Sequence, residues 1–404
     1  MGNTPNIRFK GFTDYWEQRK LNEVAEFNPK SELPDEFEYV DLESVVGTEM
    51  ISHRTETKDS APSRAQRLAQ PGDVFFQTVR PYQKNNYLFS KLDNNYVFST
   101  GYAQMRPNID TAFLMSFLQT DSFVKIVLDN CTGTSYPAIN SNDLSNLEIS
   151  LPKSFEEQKK VGKTIISIDN LITLHQRKCD ETKKLKKFML QKMFPKKDAK
   201  KPEIRFAGFT DDWEQRKLID YLEVSSEKNR DNRFTKDDVL SVSGEYGIVN
   251  QIEFQGRSFA GASVSNYGVV ENGDVVYTKS PLKSNPYGII KTNKGIPGIV
   301  STLYAVYKPK EITDSKFVQI YFELDSRMNS YMHPLVNKGA KNDMKVSAEN
   351  ALKGMVSFPK KDEQEMISLY FSSLDNLIAL HQRKCDELKK FKKYMLQNMF
   401  PQKG

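Results

Sequence analysis

The chain has 404 residues, of which 38% are hydrophobic and 27% charged, and its formal net charge is +6. This length exceeds what one hydrophobic core usually holds and predicts two domains or more, while the composition excludes a disordered chain. The mildly basic balance does not identify a nucleic-acid partner by itself, and no run of about 18 apolar residues is present to span a membrane.

The N-terminus and the cysteines indicate a reducing compartment. The first residues, MGNTPNIRFKGF, lack the apolar core of a secretion signal. The three cysteines (Cys131, Cys179 and Cys385) form no CxxC pair. We therefore expect free thiols and a cytoplasmic protein.

A repeated frame is the strongest pattern in the sequence. Residues 6–21 read NIRFKGFTDYWEQRKL, and residues 203–218 read EIRFAGFTDDWEQRKL. Residues 168–195 recur as residues 374–401, at an offset of 206 (374 − 168). The inserts between these frames, 22–150 and 219–357, hardly resemble each other. Near-identical frames around divergent inserts predict one architecture used twice, with a common role for the frame and a particular role for each insert.

The first half opens with Trp16, which we interpret as a core anchor at the domain entrance. The elements predicted after it are a turn and strand at 71–76, a polar loop at 77–85, a strand at 96–100, a helix near 111–129, a second loop at 132–137 and an apolar strand ending at Leu151-Pro152.

The loops of this half carry the residue types that contact base edges and phosphates, namely Arg, Lys, Asn, Gln and Tyr placed after strand ends. Two further arginines lie in the run SRAQR at 63–67. The alternative interpretation is that these are ordinary surface charges. The candidate DNA contacts of the first half are Arg64, Arg67, Arg80, Tyr82, Lys84, Thr134 and Tyr136.

A long helix follows, because residues 155–194 contain no proline and Gly162 is their only glycine. Apolar residues recur in a heptad-like stripe, which predicts two long helices packed as a coiled coil. Roughly forty residues at about 1.5 Å each give a spacer of about 60 Å. We predict that an antiparallel pair crosses near Leu174, His175, Leu380 and His381. The predicted seam residues are Ile168, Ile172, His175, Cys179, Leu374, Ile378, His381 and Cys385.

The second half follows the same plan, with Trp213 in the place of Trp16. Its predicted elements are a turn and strand at 272–277, a polar loop at 278–285, a strand at 298–302, a helix near 314–331, a second loop at 337–342, a strand ending at Phe358-Pro359 and the second long helix. Its candidate DNA contacts are Lys279, Lys283, Asn285, Lys341 and Asn342.

Two features of the helices have alternative interpretations. Lysines crowd the C-terminal half of each helix, either as a solvated face or as a basic surface near DNA phosphates. His175 with Cys179, and His381 with Cys385, stand at i, i+4 spacing and could bind zinc. The duplication of the chain explains why the His and Cys pair occurs twice, and a position in the helix seam explains why these side chains would be buried. We therefore predict no metal site.

The predicted fold is α+β, a pseudo-two-fold tandem repeat. It has two globular α/β domains separated by two long antiparallel helices that form a coiled coil. The predicted boundaries are 1–152 for the first domain, 153–195 for the first helix, 196–202 for a lysine-rich linker, 203–359 for the second domain and 360–404 for the second helix.

This organisation resembles the specificity (S) subunit of type I restriction–modification systems. The resemblance lies in the RF-x-GF-T-D-x-W openings, the run SRAQR followed by Gly72-Asp73-Val74, the segment Val79-Arg80-Pro81-Tyr82 and the Leu-Pro end followed by E-x-Q at 156–158. The second half lacks the SRAQR run. The resemblance implies two target recognition domains that read the two halves of a bipartite double-stranded DNA site. It also implies helices that set the gap and dock two methyltransferase (M) subunits, with restriction/translocase (R) subunits joining the assembly.

No catalytic motif is complete. Asn285-Pro286-Tyr287 lacks the second proline of an adenine methyltransferase motif, and Gly162-Lys163-Thr164 lacks the upstream glycine of a phosphate loop. The resemblance implies a non-catalytic chain that binds no cofactor, whose partners use S-adenosylmethionine, ATP and Mg²⁺. The alternatives are a stand-alone restriction nuclease or DNA methyltransferase with unrecognised motifs, which would bind cofactor alone, and a coiled-coil scaffold, which would show no salt-dependent DNA binding.

Overall fold

The computed structural model describes residues 4–93, 95–133, 135–196, 199–279, 285–338 and 344–401. It divides into two compact units. Unit 1 comprises Met1–Lys178 with Leu380–Gly404, and unit 2 comprises Cys179–Ala379. Each unit therefore combines one globular domain with a segment of each long helix.

Unit 1 contains twelve strands and four short helices among its described residues. The strands are β1 (Glu17–Lys20), β2 (Ala25–Phe27), β3 (Glu36–Val40), β4 (Val45–Val46), β5 (Glu49–Met50), β6 (Arg54–Thr57), β7 (Ala65–Leu68), β8 (Val74–Gln77), β9 (Tyr87–Leu88), β10 (Tyr96–Ser99), β11 (Tyr102–Pro107) and β12 (Glu148–Leu151). The helices are α1 (Leu21–Val24), α2 (Thr111–Leu118), α3 (Asp121–Asp129) and α4 (Ser141–Ser145), and the long helix α5 (Phe155–Lys192) follows them.

Two four-stranded sheets form the body of this domain. One has the antiparallel order β2-β11-β8-β9, and the other has the order β6-β3-β10-β7 with β3 and β10 parallel. The apolar run of β8 is buried on both faces, because Val74 and Phe76 pack in the core beneath the helices while Phe75 packs with Phe98 and Tyr102 between the sheets. A strand buried on both faces has no polar alternation, which is the pattern that its sequence shows.

Unit 2 repeats part of this plan. Its strands are β13 (Glu214–Lys217), β14 (Leu222–Val224), β15 (Leu240–Ser243), β16 (Gly247–Asn250), β17 (Gly268–Val270), β18 (Val275–Thr278), β19 (Ile290–Thr292), β20 (Gly298–Val300), β21 (Tyr304–Pro309), β22 (Asn337–Lys338), β23 (Met344–Lys345) and β24 (Met355–Phe358). Its helices are α6 (Gln251–Gln255), α7 (Ser315–Tyr321), α8 (Asp325–Met332) and α9 (Ala348–Ala351), before the long helix α10 (Lys361–Asn398).

The shared part of the two domains extends further than the sequence repeat. The sheet β14-β21-β18-β19 has the same order as β2-β11-β8-β9, and β13 pairs with β24 as β1 pairs with β12. The second sheet is also related, because a parallel bridge between Val239 and Ile299 joins the two-stranded sheets β15-β16 and β17-β20, as the parallel pairing of β3 with β10 joins the corresponding strands of unit 1. The two inserts therefore share a strand order although their sequences hardly resemble each other.

The predicted single helix in each insert is wrong. The first is broken into α2 and α3, where the hydroxyl of Thr120 accepts a hydrogen bond from the backbone N–H of Phe123 and begins α3. The second is broken into α7 and α8. Among the described residues no single helix is long and apolar enough to span a membrane, and only the bent pair α2 and α3 meets that test when taken together.

The Gly-Asp turns before β8 and β18 have a structural role. The carboxylate of Asp73 accepts from the backbone N–H of Gln70 and pairs with Arg106 at 2.9 Å. In unit 2 the carboxylate of Asp274 accepts from the backbone N–H of Glu271 and lies 3.5 Å from Lys308. Both aspartates close the turn and hold the neighbouring strand, which explains their repetition.

The E-x-Q motif fastens α5 to its domain. Glu157 pairs with Arg8 at 2.7 Å and accepts from the indole N–H of Trp16, so the opening segment is tied to the helix start. The amide of Gln158 accepts from the backbone N–H of Asp110 and donates to the carbonyl of Pro152. In unit 2, Arg205–Glu363 and Gln364 repeat these contacts. Trp16 and Trp213 are both buried, which confirms their prediction as core anchors.

The only glycine of α5 allows a close helix contact. A Cβ atom at Gly162 would overlap the backbone of Ala112 and Phe113 at the start of α2. The helix can therefore lie directly against α2 only if residue 162 has no side chain.

The two long helices run antiparallel within each unit, as predicted. In unit 1 Asp169 pairs with Lys392 at 2.6 Å, and the thiol of Cys385 donates to the carbonyl of Ile172 at 3.4 Å. In unit 2 the thiol of Cys179 lies 3.9 Å from the carbonyl of Ile378, and Lys186 pairs with Asp375 at 2.6 Å. In both units higher residue numbers on α5 meet lower numbers on α10.

Candidate nucleic-acid interface

The structure brings together the two polar loops that the sequence placed separately in the first insert. The backbone N–H of Arg80 donates to the carbonyl of Pro137 at 2.8 Å. The guanidinium of Arg80 lies over the ring of Tyr136, 4.5 Å from its centroid. Tyr82 and Tyr136 are 50% and 64% exposed. An arginine stacked on an exposed tyrosine, with a second exposed tyrosine two residues away, forms a surface suited to nucleic-acid contacts.

The loop after β8 is held in an uncommon backbone conformation. Arg80 and Lys84 both have positive φ, 55° and 56°, on either side of a short 3-10 turn at Pro81–Gln83. Non-glycine residues rarely adopt this region, and such conformations concentrate at functional sites. The conformation raises Tyr82 to the surface while Pro81 stays buried.

Lys84 is engaged inside the domain. Its ammonium lies 2.5 Å from Asp121 at the start of α3 and donates to the carbonyl of Gln119 at 2.9 Å. The hydrogen bond from Lys84 lowers the pKa of Asp121 below its ordinary value. We therefore interpret Lys84 as the anchor that fixes this loop, and its contact with DNA stays a prediction.

The two arginines of the SRAQR run differ in exposure. Arg64 is exposed just before β7, and its carbonyl accepts from the backbone N–H of Thr100. Arg67 is half-buried within β7. Thr134 lies outside the described residues, and Lys84 is engaged internally. The other five of the seven candidates in this half are exposed or partly exposed, and in the described part of the chain they form no ion pair: Arg64, Arg67, Arg80, Tyr82 and Tyr136.

In unit 2 the loop after β18 begins with Lys279, which is half-buried and whose backbone N–H donates to the carbonyl of Leu303. Burial and the neighbouring Lys228 lower the pKa of the Lys279 ammonium. Asn285 donates to the carboxylate of Asp325 at 2.6 Å, so it also holds its loop against the domain. Lys283, Lys341 and Asn342 lie outside the described residues, and their DNA contacts stay predictions.

The predicted seam residues are all at least half-buried. Ile168, Cys179, Leu374 and Cys385 are buried, and Ile172, Ile378 and both histidines are half-buried. His175 and His381 meet in unit 1 with their Nδ1 atoms 3.0 Å apart. The two histidines meet where the helices were predicted to cross, whereas the side chains of Leu174 and Leu380 are exposed there.

Sequence reasoning missed the docking of each helix end on a globular domain. In unit 1, Leu396, Met399 and Phe400 of the α10 end pack in the core with Trp16 and Phe113. In unit 2, Leu190, Met193 and Phe194 of the α5 end pack in the core with Trp213 and Phe317. The sequence signal for this docking was the repeated MFP at 193–195 and 399–401, because apolar residues that follow a lysine-rich stretch are expected to be buried in a hydrophobic core.

The described residues contain no group of three or more His, Cys, Asp or Glu side chains that could hold a metal ion. The two HxxxC pairs are accounted for by other contacts. The histidines bond to each other, and each thiol lies near a backbone carbonyl of the facing helix.

Comparison with known proteins shows which proteins this architecture resembles. Residues 13–184 match the family described as type I restriction modification DNA specificity domain. The S subunit of the type I restriction–modification system of M. genitalium has a similar fold, with a TM-score of 0.63 over 99% of this chain and 100% of that one at 14% identity. This similarity confirms the predicted fold class.

Residues 13–184 therefore resemble the DNA specificity domain of type I restriction–modification systems. The chain is similar to the type I restriction enzyme MjaVIII specificity subunit of Methanocaldococcus jannaschii, with 25% identity over 301 residues and 71% of this chain. It is also similar to the HindI specificity subunit of Haemophilus influenzae, with 26% identity over 144 residues and 34% of this chain. The matched segments span 68% and 31% of the lengths of these relatives.

Proposed function

We propose that this chain is the DNA-reading subunit of a type I restriction–modification complex and that each globular domain reads one half of a bipartite target. The observation that carries the proposal is a shared strand order in two domains whose insert sequences hardly resemble each other. The order β2-β11-β8-β9 recurs as β14-β21-β18-β19, and the parallel pairing of β3 with β10 recurs as the bridge between Val239 and Ile299. A common platform with two different surfaces is what two different half-sites need.

The reading surface of the first domain is formed by its converging loops. Arg80 stacked on Tyr136, with Tyr82 beside it, offers donors and exposed rings at the end of β8. Lys84 and Asp121 hold the loop in place, so its side chains are ordered before DNA arrives. Such preorganisation lowers the entropy that binding would otherwise cost. In the second domain the equivalent surface starts at Lys279.

The long helices carry a second surface, which we assign to methyltransferase subunits. In unit 1 Leu171, Phe391 and Tyr394 are exposed on the helix segments. Their equivalents at the offset of 206 are exposed in unit 2: Leu377, Leu185 and Phe188. Exposed large apolar side chains repeated on a helix indicate a protein partner. Because the same set occurs once in each unit, the fitting occupants are two copies of one partner.

In this proposal the chain performs no chemical step. The methyltransferase subunits would bind S-adenosylmethionine, and restriction subunits that use ATP and Mg²⁺ would join the complex. The alternatives are a stand-alone nuclease or methyltransferase, which would bind cofactor without partners, and a scaffold without DNA affinity. The incomplete Asn285-Pro286-Tyr287 motif and the ordered loop around Arg80 favour the non-catalytic DNA reader.

The test is an exchange of one insert. Residues 22–150 are replaced by the corresponding insert of a family member with a different target, and methylated sites are mapped in cells that also contain the methyltransferase partner. We expect one half of the target to change while the other half and the gap stay the same. A change in both halves would contradict the assignment of one half-site to each domain.

A further inference from the structure

Arg67 occupies a fixed position in the sheet β6-β3-β10-β7 of unit 1. Its backbone lies within the β7–β10 ladder opposite Phe98, and the ladder shifts register between Phe98 and Ser99. The carbonyl of Arg64 accepts from the backbone N–H of Thr100 at 2.8 Å beyond this irregularity. The backbone around Arg67 is therefore held on both sides, and the side chain projects from a rigid strand rather than from a loop.

The guanidinium of Arg67 is half-buried without a partner. Among the described residues its Nε atom is buried and has no hydrogen-bond acceptor. Burial lowers the pKa of Arg67, and no neighbouring carboxylate opposes that shift. A charged donor removed from water without an acceptor destabilises a fold, so native proteins rarely keep one unless a ligand completes it.

The other arginines of unit 1 show that the domain provides acceptors where a guanidinium is structural. Arg8 pairs with Glu157, Arg54 with Asp41 and Glu56, and Arg106 with Asp73. Arg106 is the closest comparison, because it also lies on a strand of this domain and is partly buried. Its partner Asp73 is buried and accepts two hydrogen bonds from the Arg106 guanidinium.

We infer that Arg67 is a base-reading residue of the first domain and that the terminal amino groups of its guanidinium, which are not among the buried atoms, bind the edge of a guanine in the target half-site. The inference rests on the proposed function and assigns a specificity role within it. The planar fork of arginine matches the O6 and N7 acceptors of guanine in the major groove. A side chain on a rigid strand loses little freedom when it makes that contact, whereas the exposed Arg64 suits a phosphate.

The experiment compares Arg67→Ala and Arg67→Lys in the complete complex with its methyltransferase partner. Methylation rates are measured on the target and on DNAs changed at each base pair of the half-site. We expect both variants to lose roughly 5- to 160-fold discrimination at one G·C pair, because lysine keeps the charge but not the two-pronged geometry. Discrimination at the other positions and in the other half-site should not change.

Thermal unfolding of the same variants separates a reading role from a structural one. Arg67→Ala removes no internal hydrogen bond and should leave the unfolding temperature unchanged or raise it. Arg106→Ala leaves Asp73 buried without its partner and should lower that temperature. The combination of lost discrimination with unreduced stability at Arg67 is the signature of an acceptor supplied by the ligand.

Three results would overturn the inference. The first is wild-type discrimination by Arg67→Ala. The second is an equal loss on all sequences, with a salt slope reduced by about one and rescue by lysine, which would assign Arg67 to a phosphate. The third is a fall in stability as large as that of Arg106→Ala with discrimination unchanged. Failure of the wild-type complex to methylate any site would instead contradict the proposed function. The wild-type assay shows this outcome before any variant is made.

Discussion

Replacing Phe194 with alanine tests whether the end of α5 is part of the core of unit 2. Phe194 is 2% exposed, and its ring centroid lies 5.7–6.2 Å from those of Trp213, Phe317, Tyr321 and Phe371. Truncation of a buried phenylalanine to alanine in such a core lowers the free energy of unfolding by about 3–5 kcal/mol. For a unit of this size each kcal/mol corresponds to about 2–4 °C, so the unfolding temperature of unit 2 should fall by roughly 6–20 °C.

The matched control is Phe188→Ala, six residues earlier on the same helix. Phe188 is 47% exposed, so its removal should change stability by no more than about 0.5 kcal/mol. Both variants are compared with the wild-type chain by differential scanning calorimetry and by near-ultraviolet circular dichroism, which reports the packing of Trp213. Equal shifts for Phe194→Ala and Phe188→Ala would refute the docking of the α5 end in this core.

Four further outcomes follow from the helices and loops. Adding one heptad to both long helices should lengthen each by roughly 10 Å and widen the gap in the recognised site by about three base pairs, while both half-sites stay the same. Mapping of methylated sites measures the gap. An unchanged gap would show that the helices do not set the distance between the half-sites. If Arg80 reads a base, Arg80→Ala should weaken binding to the target by about 1–3 kcal/mol and relax discrimination at one position. If Arg80 holds a phosphate, the variant should weaken binding to all DNA and reduce the dependence of affinity on salt concentration by about one in slope. Wild-type binding to target and non-target DNA would exclude contact between Arg80 and DNA. Lys84→Ala should raise the pKa of Asp121 towards its ordinary value, as measured by NMR titration. Since the folded pKa of Asp121 is lowered, the stability from this pair is present above the ordinary aspartate pKa of about 4 and lost as pH falls through the folded value, so the variant should lack that acid dependence. Leu185→Asp should reduce co-purification of the methyltransferase subunit while leaving the unfolding temperature near wild type, and undiminished assembly would argue against the apolar set on the helices.

The seam shows how far local periodicity leads. The 4–3 spacing predicted that Ile168, Cys179, Leu374 and Cys385 are buried, and all four are. The same spacing brought His175 and His381 to a common level, where they meet at 3.0 Å. The heptad spacing put the histidines but not the adjacent leucines in the seam, and Leu174 and Leu380 are exposed, because a shift of one residue turns the side chain by about 100° around the helix.

The lysines of the two helices show where local reasoning ended. The sequence left a choice between a solvated face and a DNA-facing surface for all of them. The structure separates them, because Lys186 pairs with Glu323 and Asp375, and Lys392 pairs with Asp169. These acids lie on elements distant in sequence, so nothing near the lysines in the chain indicated the pairing.

Sequence alone determined the tandem frame, the buried tryptophans, the long antiparallel helices and the polar loops after β8 and β18. These depend on repetition and on periodicity, which act over a few turns of helix or a few residues of strand. Only the tertiary structure decided that Lys84 is bonded internally while Arg67 is not, and that the helix ends enter the two cores. The physical reason is that a polar side chain acquires its role from the acceptor that folding brings within hydrogen-bond distance, and that acceptor belongs to another part of the chain.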